Sequence, residues 1–218
     1  MTGATRELPM FPLGSVLFPG MPLQLRIFEP RYVEMLLSVL GETEHEFGVV
    51  LIERGSEVGG GDVRFGVGTV ARIVSVEQGA GSIVLLATGA ARFEVVRWLQ
   101  DDPFPRAQVR ELAALELDES TRSELGAAEA VVRATISRVS EFVELAWSAD
   151  IELSPELAQR IWQVAGIAPL NSLDQYALLR SRTVSELLAR VVEDTQGADV
   201  LFTAGWGSDL EDDGDLPE

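Results

Sequence analysis

The sequence predicts an α+β fold: a compact, mostly antiparallel β-barrel or sandwich with one early helix, followed by a helical bundle. Three observations carry this. Residues 8–115 divide into short apolar or alternating runs separated by corners rich in glycine and proline, the habit of an all-β layer. Composition changes near residue 116, where an alanine- and glutamate-rich stretch begins that has no proline until Pro155. Within that stretch apolar residues recur at three- and four-residue steps, the period of a helix face. The expected organisation is residues 1–115 as barrel, 116–202 as a helical subdomain with one long helix, and 203–218 as an acidic disordered tail.

The opening stretch, residues 8–36, holds five of the 10 prolines: Pro9, Pro12, Pro19, Pro22 and Pro30. Each fixes φ and removes a backbone donor, so short extended pieces joined by tight corners are expected. Residues 8–11 read as a first strand and 12–15 as a turn. Gly20 follows Pro19 at a sharp corner and is free to take positive φ. Residues 23–27 alternate apolar and polar, the mark of a half-buried strand. Pro30 suits the first helical position, and Tyr32, Val33, Leu36, Leu37 and Leu40 are expected to form the inward stripe.

Downstream, residues 47–52 read as a buried strand and 54–62 as a glycine-bearing loop. Strands are expected at 67–76 and 82–88, joined by a hairpin turn at 78–81, then at 92–100 and 106–115, with Gly89 separating two of them. A closed barrel would remove the free edges that so many short strands create. Leu125, Ala128, Val132, Ile136, Val139, Val143 and Trp147 mark one face of a helix that would reach roughly 45 Å at 1.5 Å per residue. Thr121 with Glu124, Ser172 with Gln175 and Thr183 with Glu186 have the spacing of capping boxes. Ser154-Pro155-Glu156 starts another helix, which Gly166 is expected to stop.

The opening LPMFPLGSVLFPGMPLQLRIFEPRYVEML closely resembles that of the Lon protease N-terminal, substrate-binding domain family. The resemblance continues in order through residues 47–50, 67–73 and 89–95, and covers about residues 6–200. It implies a PUA-like β pseudo-barrel followed by a helical subdomain. It also implies a non-catalytic module that binds unfolded polypeptides or exposed hydrophobic segments, as an adaptor or quality-control factor beside a protease or chaperone.

Composition narrows the chemistry. All 17 basic residues are arginine, so a Ser–Lys dyad, a P-loop lysine and a Schiff-base lysine are each impossible in this sequence. There is no cysteine and a single histidine, His45, in a loop among glutamates, and no Gly-x-Ser-x-Gly elbow. No enzyme activity, cofactor or metal site is expected. The acidic run at 209–215 lacks the spacing of an EF-hand loop. Net charge is −18, with −4 in residues 1–115 and −14 in 116–218, which argues against nucleic acid and anionic membranes as partners. No secretory leader or membrane span is read, and the cytoplasm is the expected compartment.

What remains is binding. Phe18, Met21, Phe28, Tyr32 and Phe65 are candidates for a tolerant apolar surface, against the plainer reading that aromatic residues fill a small barrel. Glu29, Arg31 and Arg92 read either as rim contacts to a bound peptide or as ion pairs locking the first helix to the barrel. RNA binding, as in other PUA-like barrels, and a small-molecule sensor with its pocket between barrel and helices are the competing functions.

Overall fold

The computed structural model describes residues 4–54, 63–79 and 82–207, the last eight of these as helix alone. Among these residues the order is β1 (Thr5–Leu13), β2 (Pro22–Ile27), α1 (Pro30–Leu40), β3 (Glu46–Arg54), β4 (Val63–Gln78), β5 (Ile83–Trp98), β6 (Arg106–Glu111), α2 (Thr121–Val139), α3 (Leu157–Ile167), α4 (Ser172–Leu179) and α5 (Val184–Gly207). The strands lie in the order β2-β5-β4-β3-β1-β6, and β6 pairs again with β5. That last pairing closes five strands into a ring and leaves β2 outside it, on the first half of β5. Only β1 and β3 run parallel; the other pairings are antiparallel. The predicted α+β class, with a β pseudo-barrel and a following helical layer, is the one observed.

Parity along the strands divides the core. Leu8 and Met10 of β1 join Val50, Val70, Phe93, Ala107 and Val109 in a small cluster drawn from every strand of the ring. Phe11 and Leu13, on the opposite face, join a larger cluster that runs under α1 and on into α2, α3, α4 and α5. One apolar core therefore serves both the strands and the helices.

Gly89 does not separate two strands. β5 is continuous, pairing through residues 83–88 with β2 and through 93–98 with β6. Register shifts, including one between Thr69 and Ala71, bend these long strands as bulges do. Gly89 is required for close approach instead: a Cβ there would lie 2.1 Å from the carbonyl oxygen of Phe18. Its N–H donates to the Met21 carbonyl at 2.9 Å, and its carbonyl accepts from the Gly20 N–H at 2.8 Å. Gly20 takes φ +74°, the corner expected after Pro19.

The helices depart from the sequence reading in three ways. The buried stripe of α1 is Tyr32, Met35, Leu36 and Val39, whereas Leu37 and Leu40 are exposed. Tyr32 and Leu36 of the expected stripe face inward, while residues 33, 37 and 40 lie on its flank. Second, α2 ends at Val139 after 19 residues, about 28 Å. Beyond it Val143, Leu145 and Trp147 are half-buried on alternate residues of irregular chain. Arg133 holds that chain against α2 by donating to the carbonyls of Ala149 and, at 3.0 Å, Ile151.

Third, two of the three expected capping boxes are replaced by neighbouring groups. The Asp118 carboxylate accepts from the N–H of Ser120 at 3.0 Å and of Thr121 at 2.8 Å, and Glu124 accepts from the Ser185 hydroxyl instead. Asn171, not Ser172, caps α4 by accepting from Leu173 and Asp174. At α5 the Thr183 hydroxyl accepts from the Glu186 N–H at 3.1 Å, while Glu186 reaches the Arg182 N–H. Helix α3 starts at Leu157, two residues after Pro155, and closes at Ile167, beside the expected stop at Gly166. Helix α5 runs to Gly207, into the tail expected to be disordered from residue 203. The rest of that tail, the loop expected at 54–62 beyond Arg54, and residues 80–81 of the expected hairpin turn lie outside the described residues.

Two outcomes follow from this packing. Gly89→Ala forces a methyl group against a fixed backbone carbonyl and should cost about 3 kcal/mol, read as a lower midpoint in urea at unchanged slope. Glu129 of α2 accepts from Arg160 of α3 and from Arg133, each at 2.8 Å. The Arg160 hydrogen bond, aided by Arg133 and opposed by burial, holds the Glu129 carboxyl below the usual glutamate range. A depressed carboxylate adds stability above its unfolded pKa and loses it as pH falls through the folded value. Glu129→Gln should therefore be less stable than the parent at neutral pH, with the difference shrinking as pH drops below about 4.

Candidate functional site

The eight residues singled out in the sequence separate into two places. Phe18, Met21, Phe65 and Arg92 lie where the strands meet the helices. The Phe18 ring lies 6.0 Å from the Trp162 ring of α3, and Met21 packs against Gly166 of the same helix. Phe65 of β4 meets Tyr176 of α4 with ring centroids 4.2 Å apart. Phe18 and Met21 are buried, which is the core reading and not a groove.

Arg92 is the link between the layers. It is only 6 % exposed. One terminal nitrogen donates to the carbonyls of Leu179 and Ser181 at 2.7 Å each, and the other to Ala113 at 3.4 Å. Its guanidinium lies 4.7 Å from the centre of the Trp162 ring. Burial pushes its pKa below the ordinary arginine value. The Leu179 carbonyl belongs to the last turn of α4, where carbonyls lack helical partners and favour a cation. Glu94, by contrast, pairs with Arg110 across β5 and β6, inside the sheet. At Arg92 the layers are joined by an arginine on backbone carbonyls.

The other four residues gather at β2 and the start of α1. A cavity of about 250 Å³ is lined by Phe11, Leu13, residues 24–28, Glu29 and Tyr32. Tyr32 stacks on Phe11 at 4.1 Å and is buried, forming the floor. The Arg31 guanidinium lies 4.5 Å from the Tyr32 ring centre and donates to Glu29 at 3.2 Å. Phe28 stands at the rim, 58 % exposed. Leu37 and Leu40 are also exposed, on α1. Phe11 and Arg26 also line the cavity, beyond the residues expected from the sequence. The alternation of β2 was the available signal, since it turns Arg26 outward between buried Leu25 and Ile27.

His45 sits at φ +48° in the turn before β3, its carbonyl accepting from Ile73. Among the described residues no group of three or more His, Asp or Glu side chains is placed to hold a metal ion. Among the same residues no helix is long and apolar enough to cross a membrane.

Comparison with known families places the arrangement. Residues 7–194 match the family model described as the ATP-dependent protease La (LON) substrate-binding domain. The chain belongs to the Lon substrate-binding domain family. A Lon protease 2 from Herpetosiphon aurantiacus is 29 % identical over 209 residues, or 90 % of this chain. A Lon protease from Anaeromyxobacter dehalogenans is 34 % identical over 106 residues, or 47 % of it. The chain spans 24 % and 12 % of the lengths of those two proteins. Among solved structures, a Lon N-terminal domain protein from Xanthomonas campestris aligns with a TM-score of 0.61 at 28 % identity, over 86 % of this chain and 98 % of that one. The N-terminal domain of a Mycobacterium avium complex Lon protease aligns at 0.63 and 15 % identity, over 88 % and 98 %, and shares the fold. The matched family is the part of Lon that binds substrate, not the part that cleaves it.

In this Lon-type domain, Arg92→Ala should leave the carbonyls of Leu179 and Ser181 buried without donors. The expected loss is about 3–5 kcal/mol, with Arg92→Lys only partly restoring it because one ammonium cannot reproduce the planar fork. Chemical denaturation with helix and aromatic probes followed together measures both.

Proposed function

We propose that this domain binds unfolded polypeptides or exposed hydrophobic segments, as an adaptor or quality-control factor that breaks no bond itself. The observation that carries the proposal is Phe28, a large aromatic held 58 % exposed at the mouth of the groove between β1 and β2. An exposed ring beside a cavity of mixed polar and apolar lining can anchor a partner's side chain. Edge strand β2 adds a second mode, since a bound extended segment would pair with its backbone whatever the segment's sequence. In this reading residues 1–115 supply the groove and 116–202 brace it, with a cytoplasmic protease or chaperone receiving what is bound.

A second reading has one observation in its favour. A cavity of about 260 Å³ between barrel and helices, lined by Gly89, Arg92, Leu115 and Trp162 among others, has room for a small ligand. RNA binding has no comparable support in a chain of net charge −18.

The test uses a fluorescently labelled, denatured and alkylated protein as probe in anisotropy titrations. Phe28→Asp should weaken binding at least tenfold, about 1.4 kcal/mol, while leaving the melting temperature within 2 °C. Tyr32→Ala should instead destabilise the fold by about 3–5 kcal/mol, because that ring is buried against Phe11. Unchanged binding by a folded Phe28→Asp variant rules out the groove. A stabilisation of several degrees by one metabolite, with no binding of unfolded protein, favours the small-ligand reading.

A further inference from the structure

Two openings in the helical layer lie on elements other than those that form the Phe28 groove. One, about 410 Å³, is lined by Leu145, Trp147, Ile167 and Leu170 among others. The second, about 740 Å³, lies against Asp174 of α4 and Glu193 and Asp194 of α5. Pro169, Leu170 and Asn171 line both, so the two form one trough with an apolar floor and an acidic rim. No arginine is among the residues lining either opening. Burial, and then the charge of Asp174, push the Asp194 carboxyl up, with Arg190 opposing. The charged side chains that line the trough are all carboxylates, Asp174, Glu193 and Asp194, and Arg190 of α5 attracts Asp194 from outside the lining.

We infer that this trough takes a polypeptide segment that is both cationic and apolar, with lysine or arginine set between large apolar side chains. The inference rests on the reading that the domain binds polypeptides, and it adds a second surface and a preferred class of segment. The apolar side chains would leave water against Trp147 and Leu170, while the basic ones meet Asp174, Glu193 and Asp194. The same charge argument disfavours two other occupants. Residues 208–218 of this chain carry six carboxylates and no arginine, so the rim repels them. A second copy brings a net charge of −18 to an already negative surface.

The experiment compares two labelled peptides of equal length, one alternating lysine with leucine and tryptophan, the other with glutamate in place of every lysine. Both are titrated against the parent domain, the E193Q/D194N variant and F28D, at low and high salt, with the denatured, alkylated protein as a third probe. Among the described residues neither Glu193 nor Asp194 accepts a side-chain hydrogen bond, and circular dichroism checks that the variant remains folded. The expected result is that the parent binds the basic peptide and not the acidic one. E193Q/D194N should weaken that binding about five- to tenfold, and added salt should weaken it further. Equal binding of the two peptides, or an unchanged affinity in E193Q/D194N, overturns the trough. If F28D still lowers binding of the denatured protein in that case, the groove reading stands alone. Failure of all three probes to bind any form overturns both.

Discussion

The structure depends on one close contact: the carbonyl of Phe18 lying directly on the backbone of β5 at Gly89. That approach seats residues 14–21 as a wedge between the strand ring and the helices. The wedge is held from both sides. From the ring, the Thr69 hydroxyl donates to the buried Leu17 carbonyl at 2.6 Å. From the helices, Gln163 donates to the Gly20 carbonyl at 3.1 Å and Ser172 to that of Gly14 at 2.9 Å. Phe18 and Met21 then fill the seam against Trp162 and Gly166. The carbonyls of Gly14, Leu17 and Gly20 are thus each met by a side chain of another element. Arg92 completes the seam by tying β5 to the end of α4.

Much of the fold was legible because the local signals agreed with the tertiary outcome. Prolines and glycines placed the corners of the opening, alternation placed β2, and the change of composition placed the start of the helices. The failures share a cause. Gly89 carries a tertiary requirement, the approach of a segment some seventy residues away, and a local reading takes it for a break. Val143, Leu145 and Trp147 match helical spacing only in part, and Arg133, a long-range cap, decides against the helix. Capping groups moved by a residue or more because Asp118 and Asn171 offered better-placed oxygens.

The candidate site was less legible for a related reason. An aromatic residue in a β-rich sequence carries no mark of whether it will face the core or water. Phe18 and Phe28 sit in similar apolar company, yet one is sealed under α3 and the other stands at a groove mouth. Only the position of Phe28, at the end of β2 and ahead of α1, separates them. The acidic trough was invisible for a different reason: its floor comes from the irregular chain after α2 and its rim from α4 and α5, elements distant in sequence. Charge counting located the excess of carboxylates in the second half but could not say which of them share a surface.

The wedge has a consequence for synthesis of the chain. Ser172 closes onto Gly14 across 158 residues. At roughly 5–20 residues per second, a ribosome takes about 8–30 s to cover that interval. For most of it the nascent polypeptide carries Phe18 and Met21 without α3, the helix that shields them. If the proposed binding of uncovered apolar segments holds, the domain thus passes through a stage in which it displays one of its own.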